Sequence, residues 1–397
     1  MQKIPSITLL VVTQVAVMSL WFVSAAILPD MAAEVDLTPL RQAALSSAVQ
    51  AGFVIGAITS AILGIADRFD PRRVFAICAM TAAIANLALI VLPVGGDAAI
   101  LMRLITGILL AGVYPVGMKI AVGWGTKDRG LLVGLLVGGL TIGSASPHLL
   151  AFVGGADWRS TVIMASTISA LAAVCALPVG LGPHHATSPR FNPAAITLAW
   201  TDKRIRLAIL GYLGHMWELY AMWAWIGAAT AVSYAMTLPQ DDAIAFSKLT
   251  AFCAIAAGGL VCAAAGWLAD KIGKAEMTII AMAVSGVAAL GTALTFGGPV
   301  WVTFSVVIIW GIAIIPDSAQ FSALVADAAP ADQAGSLMTL QTALGFALTI
   351  ATVQATPYLA ETFGWPIVLS ALALGPAFGI AAMWGLRRSP EPTTNSG

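Results

Sequence analysis

Twelve separate runs in this 397-residue chain stay apolar for about 20 residues or more, the length at which a helix crosses a lipid bilayer. They fall at roughly 5–29, 41–66, 74–94, 98–122, 130–154, 160–181, 205–232, 246–269, 275–297, 299–323, 335–359 and 365–386. Only 10% of residues are charged and 59% are hydrophobic, whereas soluble domains carry about 25% charge. An all-α integral membrane protein with twelve transmembrane helices is expected. Gly107, Gly112, Pro115, Pro147 and Pro316 lie inside the runs, where membrane helices tolerate them. The first run exceeds the apolar core of a cleaved signal, roughly 7–15 residues, so it is expected to remain as a span.

Lys and Arg set the orientation. With the N-terminus inside, fourteen basic residues, among them Lys3, Arg72, Arg73, Lys203, Lys274 and Arg387, lie on the inner side. Only Arg41, Arg159 and Lys248 lie outside. The positive-inside rule then makes both termini cytoplasmic. The longest polar segment, 182–204, separates six spans from six. It divides the chain into an N-terminal half (1–181), a cytoplasmic linker (182–204), a C-terminal half (205–388) and a cytoplasmic tail (389–397). The halves repeat landmarks at one offset: Asp67 and Asp270, Pro115 and Pro316, Trp158 and Trp365 are 201 to 207 residues apart. Such a parallel duplication is a transporter pattern.

The four cysteines are scattered through apolar runs, and no metal-ligand spacing exists. His184 and His185 sit together in the linker and read as solvated loop residues. Nothing resembles a nucleotide loop or a nucleophile triad. An enzyme, a cofactor and a bound metal are therefore not expected. Zero formal charge gives no reason to expect a nucleic-acid partner.

The loop "GIADRFDPRR" after span two and "GWLADKIGK" after span eight resemble the signature loop of the major facilitator superfamily. The second copy is close to the pattern. The first departs from it at Leu63 and Asp70. Arg103 in "RLITGILLAG" resembles the family's basic residue in span four, whereas "GSASPHLLAF" only faintly echoes its drug-antiporter signature. The resemblance implies two six-helix halves that alternate access in a bacterial inner membrane, with spans one, four, seven and ten lining a central cavity. Its character is nearer to nitrate/nitrite and cyanate carriers than to sugar carriers, although span two carries Gln50 where a nitrate carrier has arginine. Asp67, Arg68, Arg72, Arg73 and Asp270 then correspond to a cytoplasmic latch, with Asp67 and Arg72 bridging to neighbouring helix ends.

Polar residues fall on single faces of the four expected lining helices. Span seven carries His215, Glu218, Met222 and Trp225 in one helical stripe. Span four carries Arg103 and Tyr114, span one Gln14 and Trp21, and span ten Trp310, Asp317 and Gln320. Spans three, six, nine and twelve carry almost no charge and are expected to face lipid. Glu218 lies near midspan, where an ionisable group is costly and serves function by default. A carboxyl buried there is held more cheaply as the acid than as the anion, so it can load and release a proton. Glu218, with His215 and Asp317, is the expected proton-coupling set. Arg103, Tyr114, His148, Gln14, Trp21, Trp225 and Gln320 are the expected substrate contacts. The chain is expected to be a monomeric secondary transporter that couples protons to a small polar, anionic solute. The alternative is a proton-driven exporter of amphipathic drug-like compounds. A membrane enzyme or sensor has no supporting motif.

Overall fold

The computed structural model of the chain describes residues 2–125, 129–155, 157–183, 194–330 and 333–389, apart from the side chains of Ala66, Asp67, Arg129 and Ala263. Within them the fold is helical. Residues 2–125, 129–155 and 157–183 hold α1 (Lys3–Met18), α2 (Val23–Glu34), α3 (Pro39–Leu63), α4 (Ile65–Arg68), α5 (Pro71–Leu87), α6 (Asp97–Leu110), α7 (Tyr114–Val122), α8 (Arg129–Gly154) and α9 (Trp158–Cys175). Residues 194–330 and 333–389 hold α10 (Ala194–Thr201), α11 (Lys203–Tyr234), α12 (Gln240–Ile272), α13 (Lys274–Thr295), α14 (Val300–Ile314), α15 (Ser318–Ala328), α16 (Ala334–Phe363), α17 (Trp365–Leu372) and α18 (Leu374–Arg387). Residues 184–193 of the linker, with His184 and His185, and the tail beyond Ser389 lie outside the described residues.

Among the described residues, eleven helical segments are long and apolar enough to cross a membrane. The exception is α11. Its 32 residues would measure about 48 Å, but it carries His, Glu and a dense set of aromatics. Helix starts follow local chemistry. Thr38, Asp70, Asp157 and Asp202 each accept a backbone N–H at the first turn of α3, α5, α9 and α11, and Pro39 and Pro71 occupy the position where a missing donor is harmless.

Spans one, four, ten and twelve are each broken: at 19–22, at 111–113, at 315–317 and at 373. Two breaks adjoin Pro115 and Pro316, which lack the N–H that would continue the helix. The break in span one has no proline, and its freed carbonyls find a partner elsewhere in the first six spans. Non-helical backbone at membrane depth is tolerated only where protein or a cavity satisfies it.

Successive spans run in opposite directions, so Lys3 and Arg387 share one face, here the termini face. The first six spans pack among themselves, as do the last six, and the two sets meet chiefly along α8 with α12 and α3 with α16. At the α8–α12 seam a Cβ on Gly138 would stand 2.9 Å from the carbonyl oxygen of Gly259. Only a residue without a side chain permits that approach.

Candidate functional site

Glu218 is buried on α11 and held by two donors. Trp310 Nε1 on α14 donates to Oε1 at 2.7 Å, and Ser285 Oγ on α13 donates to Oε2 at 2.9 Å. The Ser285 hydroxyl also stands 3.2 Å from the carbonyl of Met282. It therefore has two acceptors to choose from. With Glu218 ionised, its hydrogen belongs on the carboxylate. With Glu218 protonated, the acid can donate to Ser285 Oγ while the hydroxyl turns to Met282. Both protonation states thus find a complete set of bonds, which buried polar groups need.

One turn toward the termini face, His215 Nδ1 lies 3.0 Å from Asp317 Oδ1, with both side chains at most 2% exposed. The contact is off the line a hydrogen bond requires, and His215 Nε2 has no partner. Asp317 sits at the break of span ten, ahead of α15, and caps no backbone N–H. His215, Glu218 and Asp317 are brought together in the last six spans. The expected stripe, however, does not face the first half. Glu218 turns to α13 and α14, His215 to α15, and Trp225 Nε1 donates to Val353 O on α16 at 3.0 Å. The opposite face of α11, with Tyr220 and Trp223, meets the first half instead. Ser285 lies on span nine, which was expected to serve lipid alone.

Arg103 is fully buried on α6. Its Nη1 donates to Asn86 Oδ1 at 2.8 Å, and its Nη2 to the carbonyls of Leu20 at 2.9 Å and Trp21 at 2.6 Å. Those carbonyls are the ones freed by the break in span one. The guanidinium fork holds that segment in place, and Asn86 is itself held to Ser166 on α9 at 2.9 Å. Arg103 therefore positions the backbone of Trp21 rather than presenting its Nη atoms to a solute. Its bonded partners are all uncharged, and its Nε is unpartnered.

Between the two sets of spans lies a cluster of six rings. Trp21, Phe22 and Phe53 come from the first set, and Tyr220, Trp223 and Phe346 from the second. Ring centroids across the boundary are 5.9 Å apart for Trp21–Tyr220, 5.8 Å for Phe22–Trp223 and 4.8 Å for Phe53–Phe346. The indole nitrogens of Trp21 and Trp223 have no partner. His148 on α8 is buried, its Nε2 is also unpartnered, and its ring lies against Gly227 one turn beyond Trp223.

The other expected contacts are placed as follows. Gln14 is buried and donates to Leu136 O at 2.8 Å, leaving its carbonyl oxygen unpartnered beside Gly117. Tyr114 begins α7 and is partly buried. Gln320 is buried on α15.

On the termini face Arg72 does not bridge to a neighbouring helix end. It pairs with Asp70 two residues away, at 2.6 Å, because Asp70 caps the same helix. Arg72 holds the Asp70 carboxyl below the usual carboxylate range. Arg68, Arg73 and Asp270 are exposed, and the side chain of Asp67 lies outside the described residues. Ion pairs that do join helices here are Lys274 with Asp327 and Arg387 with Glu276. On the opposite face a buried pair joins the two sets of spans: Lys248 Nζ on α12 lies 2.7 Å from Asp30 Oδ2 on α2, and donates to Gly155 O at 3.1 Å. Sequence reasoning counted Lys248 only as an outer-side charge and passed over Asp30. The available signal was a base inside the run 246–269 and an acid immediately after the run 5–29, on the same side.

A sequence profile described as Major Facilitator Superfamily matches residues 9–353. No curated protein sequence matches the chain. Among solved structures, the nucleoside transporter NupG superposes with a TM-score of 0.74 at 16% identity, covering 97% of this chain and 100% of that one. A D-xylose–proton symporter gives 0.74 at 15% identity, covering 98% and 99%. The xylose transporter XylE from E. coli, in a partially occluded inward-open conformation, gives 0.73 at 13%, covering 98% and 100%. At such identity the likeness shows the fold, and none of the three is a nitrate or cyanate carrier.

Proposed function

Because the chain belongs to the Major Facilitator Superfamily, we propose that it couples protons to the movement of a small polar anion by alternating access. Residues 1–181 and 205–388 are the moving halves and 182–204 the linker between them. Both termini face the cytoplasm of a bacterial cell, following the positive-inside rule, and the unit is a monomer. Asp67, Arg68, Arg72, Arg73 and Asp270 belong to the cytoplasmic gate, and Asp30 with Lys248 closes the other side.

The observation that carries proton coupling is the cage of Glu218, in which Trp310 and Ser285 accommodate either protonation state. His215 and Asp317 tune it from one turn away. Anion preference rests on Arg103, a buried cation whose bonded partners are all neutral. An anion and an ionised Glu218 are like charges in one poorly screened interior, so bound solute favours the protonated acid. That linkage couples the two. Side-by-side counterflow and pH-driven flux in proteoliposomes test it: Glu218→Gln keeps exchange and loses accumulation. Retention of pH-driven accumulation would move the coupling site to Asp317. The six-ring cluster also suits an exporter of flat amphipathic compounds, but the field of Arg103 sets anions ahead of cations.

A further inference from the structure

We infer that the transported anion is a flat aromatic carboxylate, a single ring bearing one carboxyl group. The inference rests on the proposed anion-transport reading and adds a chemical class to it. Two observations carry it. The first is how the halves close on each other. Across the boundary three contacts are ring on ring: Trp21 on Tyr220, Phe22 on Trp223, Phe53 on Phe346. When the halves part, those faces lose their partners, and each ring carries a large apolar area. A flat ring of similar size restores the contacts. A small inorganic anion or a polyol leaves the faces wet.

The second observation is an excess of donors at this cluster. Trp21 Nε1 and Trp223 Nε1 are buried and unpartnered. An indole N–H can only donate, so whatever sits opposite must accept. Both tryptophans neighbour Tyr220, with centroids 5.9 and 5.5 Å from it. His148 Nε2, unpartnered in the same neighbourhood, adds a third polar atom when it carries the imidazole proton. Arg103 donates to the Trp21 carbonyl, so its charge underlies one side of the cluster. Lys248, the other buried base near His148, already holds Asp30. A carboxylate supplies two acceptor oxygens and the negative charge, and an aromatic body supplies the face that the parted rings lack.

The test uses purified full-length protein, titrated calorimetrically near neutral pH with benzoate, benzamide, cyclohexanecarboxylate and acetate. Benzoate should bind at least about tenfold more tightly than each of the others, the scale of a charge-assisted hydrogen bond or an aromatic contact. Trp21→Phe and Trp223→Phe keep a ring and remove the N–H, and each should weaken benzoate by roughly tenfold. If one variant fails to fold, the other carries the comparison. Benzamide binding as tightly as benzoate overturns the carboxylate. Cyclohexanecarboxylate or acetate binding as tightly overturns the ring. No binding by any probe overturns the class. Benzoate that binds but shows no counterflow in proteoliposomes supports the ligand class and rejects the transport reading. Flux of another solute coupled through Glu218, without benzoate binding, does the reverse.

Discussion

Arg103 and Glu218 are both ionisable groups buried within spans, one in each half, yet they are held in opposite ways. Arg103 donates into backbone carbonyls and an amide that cannot change protonation. Glu218 is held by a hydroxyl that can turn and by an indole. The first arrangement fixes a broken helix in one shape. The second tolerates a change of charge. Buried charge therefore serves as a brace in one half and as a movable load in the other.

The comparison breaks most readily at Glu218. Glu218→Gln should reduce accumulation driven by a pH gradient to the level seen without one, while the melting temperature changes little, since Gln can still accept from Trp310 and donate to Ser285. A large loss of stability would make Glu218 a brace like Arg103. The Asp30–Lys248 pair comes next. Lys248→Met alone leaves a buried carboxylate unpaired and should cost about 3–5 kcal/mol, whereas Lys248→Met with Asp30→Leu should restore most of it. Thermal unfolding in detergent of the two single variants and the double variant reads the coupling directly, and simple additivity would reject the pair. At Arg103, Arg103→Gln should cost about 1.5–3 kcal/mol for a lost charged bond. Arg103→Lys should not rescue it, because an ammonium lacks the fork that spans two carbonyls and an amide. Full rescue by Lys would mean that charge alone matters.

Smaller effects sharpen the contrast. Ser285→Ala removes the turning hydroxyl and should displace the pH profile of transport while exchange continues. An unmoved profile would leave Ser285 as packing. On the termini face Asp70 is held below its ordinary range by Arg72. Its contribution is therefore present above the unfolded value near about pH 4 and is lost as pH falls through the lower folded value. The pair is partly exposed, so Asp70→Asn, which keeps the helix cap, should cost well under about 1 kcal/mol at neutral pH and less in acid. A cost above that, measured by melting at the two pH values, would place Arg72 in a longer-range gate.

Much of the fold was legible because membrane helices announce themselves by length, and the duplicated Pro115 and Pro316 mark two of the breaks. The break in span one was not legible. Nothing between Ser19 and Phe22 forbids a helix, and it is stabilised by Arg103, over 80 residues away. Periodicity put His215, Glu218 and Trp225 on one face, but it could not say which neighbour that face meets. The small polar residues that complete the site, Asn86, Ser166 and Ser285, are unremarkable within apolar runs. Arg72 was assigned a distant partner by analogy with a loop pattern, although Asp70 two residues earlier was the nearer candidate on spacing alone.

The polarity of α11 has a further consequence, for biosynthesis. It is the one span that falls short of the apolarity expected of a membrane helix, and a charge at a helix centre opposes insertion by about 2.5–3.5 kcal/mol. The groups that satisfy Glu218 lie 67 and 92 residues further along the chain. During synthesis this helix emerges before its partners exist, so it has to be sheltered against the six spans already inserted, or enter the bilayer with its acid protonated, until spans nine and ten follow. Chains truncated just after Tyr234 should therefore insert this segment more completely when they carry Glu218→Gln, as read by aqueous labelling, and chains extended through span ten should show no such difference.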